Sequence, residues 1–175
     1  GLEHARCEGR HVVLFNSDAF VPAGWATRLL QPICDDPKVA SVTPMSNDAT
    51  IFSVPLIARS SEITAGEVDL IDAVAARLNA GLARAVAPTG VGFCMAMSRA
   101  ALNRVPQLDT ALGKGYGEEV DWCQRIEKTG MEILGIGTLF VGHRGGQSFG
   151  LKTKLAAIEA AGRIFSQRYP QYDAG

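Results

Sequence analysis

The chain of 175 residues carries 17 basic and 18 acidic side chains, a formal net charge of -1, and 47% apolar residues. This balance is typical of a globular protein with one hydrophobic core, so we expect a single domain spanning 1–175. It excludes a disordered or collagen-like chain, and the lack of a basic excess argues against a nucleic-acid partner.

Strand and helix patterns alternate along the chain, which predicts an α/β fold. Strands are predicted at 11–15, 39–43, 92–98, 131–137 and 138–141, and helices at 25–35, 67–82, 99–105, 118–129 and from 151 to 170. The helix at 67–82 is predicted from Leu70, Val74 and Leu78, which recur at helical spacing. Loops are expected at 44–55, at the glycine-rich stretch 113–117 and at 142–150.

The four cysteines are too scattered for a disulfide framework or a structural zinc site. Cys94 and Cys123 lie in apolar runs, where a free thiol packs as a small hydrophobe, and this favours a reducing compartment. No run approaches the roughly 18 apolar residues of a membrane span, and the first residues contain no signal region. We therefore expect a cytoplasmic protein, either free or peripheral to the inner face of the membrane.

The first polar cluster, Asn16-Ser17-Asp18, follows the first predicted strand. A carboxylate at the C-terminal end of a strand is well placed to hold a hard divalent cation, which can neutralise a diphosphate. An Asx turn or a helix N-cap explains the same three residue types equally well. The pattern alone leaves both interpretations open.

The second cluster, Gly-Glu-Glu-Val-Asp at 117–121, places three carboxylates at a predicted helix start. Acidic residues in a first turn often do no more than interact with the helix dipole. Crowding of like charges, however, raises the pKa of at least one carboxyl and suits it to act as a general base. Glu118 and Asp121 are three positions apart and share a helix face, whereas Glu119 points elsewhere.

The third cluster, Gly-His-Arg-Gly-Gly at 142–146, contains a lone histidine flanked by glycines that permit close approach of a ligand. A single histidine is more often structural than a metal ligand, so His143 needs partners to be informative. The chain has no G-x-S-x-G elbow, no Walker A pattern and no G-x-G-x-x-G after the first strand. Serine-hydrolase, P-loop and dinucleotide-binding functions therefore lack their motifs.

Taken in order, these clusters resemble the motifs of the family-2 GT-A glycosyltransferases. The similar segments lie at 12–25, 42–51, 92–99, 115–125 and 142–150, and the resemblance covers about four fifths of the chain. It implies an α/β, GT-A-like three-layer sandwich with a mixed sheet. It also implies an inverting glycosyltransferase of polysaccharide or cell-envelope glycan synthesis, with a nucleotide-sugar donor and a glycan or lipid-linked acceptor.

Carried over residue by residue, the resemblance makes Asp18 a ligand of a divalent metal, Mn2+ or Mg2+, and of the donor diphosphate. Asn16 stands where the family often has a first aspartate, and His143 would be a second metal ligand. Glu119 occupies the place of the catalytic base, with Glu118 and Asp121 orienting the acceptor or the loop, although the choice between Glu119 and Asp121 as base stays open. Further candidates for substrate contacts are Gly90, Gly92 and Trp122.

Members of this family begin with a nucleotide-binding βαβ unit, and this chain starts just upstream of the metal motif. We therefore expect a partial, N-terminally truncated catalytic domain. Its open sheet edge would favour a homo-oligomer or pairing with another chain. Two alternatives are a non-catalytic binding or scaffolding module that kept the fold and a metal-dependent hydrolase of phosphorylated sugars.

Overall fold

The alternating patterns form a mixed α/β fold in a computed structural model. The structure describes residues 2–81, 84–112, 117–145 and 161–170, apart from the side chains of residues 3, 6 and 7. The strands are β1 (Val12–Phe15), β2 (Ala19–Phe20), β3 (Val39–Met45), β4 (Arg84–Val86), β5 (Cys94–Met97), β6 (Glu132–Phe140) and β7 (Gly142–His143). The helices are α1 (Leu2–Cys7), α2 (Trp25–Asp35), α3 (Ala65–Leu78), α4 (Arg99–Arg104), α5 (Glu118–Glu127) and α6 (161–168), with 3-10 turns at Thr50–Phe52 and Thr110–Leu112.

Five strands form one sheet in the order β1-β5-β3-β6-β4, and β2 pairs with β7 in a separate ribbon. β3 and β6 run parallel, whereas the other neighbouring strands of the sheet are antiparallel. The central strand, β3, is buried from Val39 to Pro44, as expected for a strand covered on both faces. The sheet is therefore mixed, as predicted.

Helices cover both faces of this sheet, and the alternation of β5 shows how. Cys94 and Ala96 pack in one core cluster, whereas Met95 and Met97 pack in another. The first cluster contains Leu29 and Ile33 of α2, and the second contains Leu102 of α4 with Trp122, Cys123 and Ile126 of α5. Successive strand residues point to opposite faces, so one strand supplies both cores. The predicted three-layer α/β sandwich is confirmed.

Helix α3 forms where predicted, but its buried face differs from the one that the spacing indicated. Leu70, Val74 and Leu78 are 70%, 46% and 68% exposed, whereas Val68 and Asp72 are buried. Asp72 explains the difference, because its carboxylate accepts two hydrogen bonds from the guanidinium of Arg28 and one from the amide of Phe140. A buried ion pair with α2 thus sets the rotation of the helix, overriding the apolar stripe.

The predicted strands at 131–137 and 138–141 are one continuous strand, β6. The expected break after Gly137 is absent, and Gly135 within the strand is needed for packing, since a Cβ there would collide with the ring of Phe52. The short strands β2, β4 and β7 were not expected from the sequence, and β7 lies in the predicted loop at 142–150. Two to three residues are too few for an alternating pattern to be recognised.

The two ends of the described chain are helical. α1 was not expected, and the predicted helix from 151 to 170 is seen as α6 over 161–168, while 146–160 lie outside the described residues. Among the described residues, no helix combines the length and apolar character needed to cross a membrane.

Candidate functional site

The β2–β7 ribbon brings together two side chains that lie far apart in sequence, Asp18 and His143. Ala19 pairs with His143 in this ribbon, and the amide of Arg144 donates to the carbonyl oxygen of Asp18 at 3.1 Å. The Nε2 atom of His143 lies 3.4 Å from Oδ1 of Asp18 and 3.2 Å from the side-chain nitrogen, Nδ2, of Asn16. The side chains of His143 and Asp18 are 14% and 17% exposed, so the pair is shielded but reachable.

The ring of His143 is held in one orientation by the loop after β3. Its Nδ1 donates to the carbonyl oxygen of Asp48 at 2.7 Å, and the ring stacks on Phe93 with centroids 5.3 Å apart. The side chain of Asn47 accepts from the amide of His143 and donates to its carbonyl oxygen, both at 2.8 Å. A histidine that donates through Nδ1 to a carbonyl directs Nε2 toward a ligand, here on the side of Asp18.

The pair of Asp18 and His143 fits one side of a divalent-cation site. Two ligands about 2.1 Å from an octahedral metal and at right angles to each other are about 3 Å apart, close to the observed 3.4 Å. A histidine nitrogen and a carboxylate oxygen together suit Mn2+ better than Mg2+, which prefers oxygen ligands. Within the described ranges no group of three or more His, Cys, Asp or Glu side chains could hold a metal. A cation held here would take its remaining ligands from phosphate oxygens or water.

Glu119 lies in the first turn of α5 and faces the segment at 90–92. A Cβ at Gly92 would be 3.8 Å from the carboxyl carbon of Glu119, and the amide of Gly92 hydrogen bonds to that carboxylate, so the two residues are in contact. Burial raises the pKa of Glu119, and the charge of Glu118 raises it further. Hydrogen bonds from its own amide and from those of Gly117 and Gly92 lower this pKa. Burial dominates, so the group is suited to accept a proton.

The Asp18–His143 pair and Glu119 are linked through one short segment, 92–93. Phe93 stacks on His143 and its carbonyl oxygen accepts from the amide of Asn16 at 2.9 Å, while the adjacent Gly92 contacts Glu119. Residues of the sequence clusters at 16–18, 117–121 and 142–145 therefore converge on one region, as the order of motifs implied.

Asp121, which was predicted to act with Glu118 at the site, is directed elsewhere. It is fully buried, and its carboxylate accepts hydrogen bonds from Arg125 at 2.6 Å, Arg168 at 3.1 Å and the hydroxyl of Tyr169 at 2.7 Å. With both oxygens bonded in this way, Asp121 anchors the C-terminal segment. This leaves Glu119 as the candidate base.

Two residues predicted to contact substrate are part of the core. Trp122 is fully buried and donates to the carbonyl oxygen of Val105 at 2.8 Å, so its indole cannot stack on a ligand. Gly90 is also buried, and a Cβ there would lie 2.6 Å from the sulfur of Met95. The prediction for Trp122 is wrong because the face of α5 that carries it packs on the sheet, and Gly90 serves packing beneath the site.

Asn47 and Asp48 were not predicted to orient the histidine. Both belong to a polar stretch without apolar periodicity, and this pattern predicts a loop but not the residue that the loop contacts. Their partner lies 95 or 96 positions away, and such a pairing becomes visible once the chain is folded.

No protein-family model matches this chain, and no curated protein matches it. Among solved structures, the chain is similar to GalNAc-T7, determined with UDP, GalNAc and Mn2+, with a TM-score of 0.54 and 19% sequence identity. The likeness covers 99% of this chain and 39% of that one, so the chain spans about two fifths of the length of its structural neighbour. At this identity the comparison shows the fold: the chain has the GT-A-like fold of a glycosyltransferase.

Proposed function

We propose that this chain is the catalytic part of an inverting glycosyltransferase of the family-2 type, active in polysaccharide or cell-envelope glycan synthesis. It would transfer a sugar from a nucleotide-diphosphate donor to an acceptor hydroxyl of a glycan or a lipid-linked glycan. The observation that carries this proposal is the Asp18–His143 pair, with Nε2 of His143 facing the carboxylate, together with Glu119, which contacts Gly92, the neighbour of Phe93.

The donor end of the reaction is assigned to Asp18 and His143, with Asn16 beside them. A divalent metal held by these residues would neutralise the charge that develops on the leaving diphosphate. The loop residues Asn47 and Asp48 keep the imidazole oriented, which fixes where the diphosphate binds. GalNAc-T7, which has a similar fold, was determined with UDP and Mn2+, and this supports a nucleotide and a divalent metal as the bound groups.

The acceptor end is assigned to Glu119, acting as the general base. Its carboxylate takes the proton of the acceptor hydroxyl as the acceptor oxygen bonds to the anomeric carbon and the bond from that carbon to the diphosphate breaks. A single in-line displacement of this kind inverts the anomeric centre. The raised pKa favours the role, because a base of ordinary carboxyl pKa is a weaker proton acceptor at neutral pH.

A second candidate is a non-catalytic binding module, favoured by one feature of the sheet. β1 leads directly to Asp18 and stands at the end of the strand order, so its outer side has no strand partner among the described residues. A module that pairs this edge with another chain would bind nucleotide weakly or not at all and would transfer no sugar. A hydrolase of phosphorylated sugars would release free sugar, which product analysis distinguishes from transfer to an acceptor.

Titration calorimetry with UDP, GDP and dTDP, each with and without Mn2+, tests the proposal. We expect one nucleotide to bind in the presence of Mn2+, and this binding to be lost in Asp18→Asn, which keeps the size of the side chain but not its charge. The matched control is Asp69→Asn, an exposed position on α3. Absence of metal-dependent binding for all three nucleotides, or unchanged binding in Asp18→Asn, would contradict the assignment.

A further inference from the structure

The segment 161–170 docks on the first turn of α5, the turn that carries Glu119. The contact is centred on Asp121, whose side chain is 1% exposed and bonds to Arg168 and Tyr169 of that segment and to Arg125 of α5 itself. A carboxylate buried to this degree must be paired, because an unpaired buried charge is strongly destabilising. The docking of the segment is therefore energetically coupled to the position of this turn.

The same segment also covers Gly117, the residue before α5. Gly117 has a φ of 94°, and a Cβ built on it would lie 3.6 Å from a ring carbon of Phe165 and 3.8 Å from the Cβ of Ala161. The amide of Gly117 hydrogen bonds to the carboxylate of Glu119. Packing by α6 thus acts on a residue that holds the candidate base directly.

The contact of Arg168 and Tyr169 with Asp121, called the anchor below, keeps Tyr169 as a hydrogen-bond donor over a wide pH range. Burial and the hydrogen bond to Asp121 raise the pKa of Tyr169 to about 12, so the phenol stays protonated and donates throughout the neutral range. The ammonium of Lys128 lies 5.0 Å from the centre of its ring, and Arg168 also bonds to Asp109 at 2.6 Å. Hydrogen bonds to Asp109 and Asp121 raise the pKa of Arg168, so this guanidinium stays charged near neutral pH and the anchor can act as a constant support.

We propose that Tyr169 and Arg168 are positioning residues of the transfer reaction: through Asp121 they fix the first turn of α5 and so hold Glu119 against Gly92. This inference rests on the proposed function, since it assigns Glu119 as the base. It differs from a purely structural role, in which loss of the anchor would lower stability and leave the surviving folded molecules with normal chemistry.

The test is Tyr169→Phe, which removes one hydroxyl and keeps the ring. We expect kcat to fall about tenfold, because a small displacement of a catalytic group is enough for that loss, with the donor KM within about twofold of wild type. The acidic limb of the pH–rate profile should move to lower pH as Glu119 becomes better hydrated. Three groups face Glu119 and influence its titration. They are the carboxylate of Glu118 and the thiol of Cys123 on α5, and the amide of Gly92 in the 90–92 segment.

The matched control is Thr129→Val, which removes a hydroxyl near the other end of α5 that bonds to Ile126 and Arg104. An unmoved pH profile in Tyr169→Phe, or a fall in kcat no larger than in the control, would overturn the proposal. Amide hydrogen exchange of residues 117–121, expected to be faster in Tyr169→Phe alone, tests the anchor without any activity. If the wild-type protein transfers no sugar, the proposed function fails, while the exchange experiment still decides whether the segment holds this turn.

Discussion

The orientation of His143 depends on hydrogen bonds to its backbone and to one ring nitrogen. The buried side chain of Asn47 bonds to both its amide and its carbonyl oxygen, and Asp48 accepts from Nδ1. A metal ligand held in this way needs little reorganisation when a cation binds. The free energy of metal binding should therefore depend on Asn47, although Asn47 bonds to the backbone of His143 and not to its ring.

Replacing Asn47 with alanine tests this dependence. We expect the affinity for Mn2+ to fall about 10- to 100-fold, the range typical of lost outer hydrogen bonds to a metal ligand. Electron paramagnetic resonance during a Mn2+ titration measures the change. Asn79→Ala removes a comparable amide, which donates to Gly137 at 2.6 Å on another part of the sheet, and should leave the affinity unchanged. Equal affinities in both variants would show that the loop does not support the histidine.

The position of Glu119 should make the folded protein less stable when this group is ionised. Because burial raises its pKa in the folded state, the folded protein binds the proton more tightly than the unfolded chain does. The stability that this group contributes is present below the pKa of an unfolded glutamate and is lost as pH rises through the raised value. Glu119→Gln should therefore be more stable than wild type at pH 7, by about 1 kcal/mol, and no more stable at pH 4.

Urea unfolding at the two pH values measures this difference, and a transfer assay gives the second readout. Loss of a general base typically lowers the rate about 100- to 10,000-fold, and we expect that loss in Glu119→Gln. Glu132→Gln, at an exposed position on β6, should change neither quantity. A Glu119→Gln variant that retains full activity would move the base to another residue.

At the scale of residues, the sequence predicted which polar side chains lie in one region better than it predicted the hydrogen-bond partners of nearby residues. Asp18, His143 and Glu119 stand at ends of apolar elements, and such positions converge when strands assemble into a sheet. Asp121 and Trp122 were misassigned because helical spacing alone does not show which face of α5 meets the sheet. Their partners Tyr169 and Val105 lie 48 and 17 positions away, and no local pattern connects them.

At the scale of elements, α3 shows how a polar contact can determine which face of a helix is buried. Val68 is 2% exposed and Val74 is 46% exposed, although the apolar stripe of the sequence included only the latter. The ion pair between Asp72 and Arg28 lies on the face of Val68. Two positions along a helix correspond to a rotation of about 200°, so the stripe that begins at Leu70 points away from the core.

Alanine substitutions at Val68 and Val74 test which face of α3 is buried. Val68→Ala should lower the free energy of unfolding by about 1 to 3 kcal/mol, because it removes buried methyl groups and leaves a cavity. Val74→Ala should change it by less than about 0.5 kcal/mol, as is usual for exposed positions. Urea unfolding at neutral pH measures both values. A larger loss at Val74 than at Val68 would mean that the stripe is the buried face after all.

Element boundaries followed the sequence where apolar periodicity was long and failed where it was short. α2, α4 and α5 lie within two residues of their predicted limits, because caps and breakers such as Pro37 and Gly130 mark their ends. β6 was divided in two after Gly137, and β2, β4 and β7 were missed. The β2–β7 ribbon, which brings Asp18 and His143 together, is thus the part of the fold that local patterns predict least.

At the scale of the whole molecule, the two edges of the sheet differ in how well they are protected. β4 forms one edge and is blunted by Arg84, which is paired with Asp35 at 3.1 Å. β1 forms the other edge and is entirely apolar, from Val12 to Phe15, with Phe15 42% exposed and stacked on Trp25. An apolar edge without charges or proline readily pairs with another strand.

We therefore predict that the chain self-associates through β1 and not through β4. Light scattering coupled to size-exclusion chromatography should show a mass that rises with concentration above the monomer value of 18.6 kDa. Phe15→Lys should keep the protein monomeric, because a lysine on an edge strand opposes pairing between copies. Val86→Lys makes the equivalent change on β4 and should leave the association as it is. A wild-type mass that stays at 18.6 kDa at all concentrations would mean that the edge is protected in another way, and loss of association in Val86→Lys alone would assign the contact to β4.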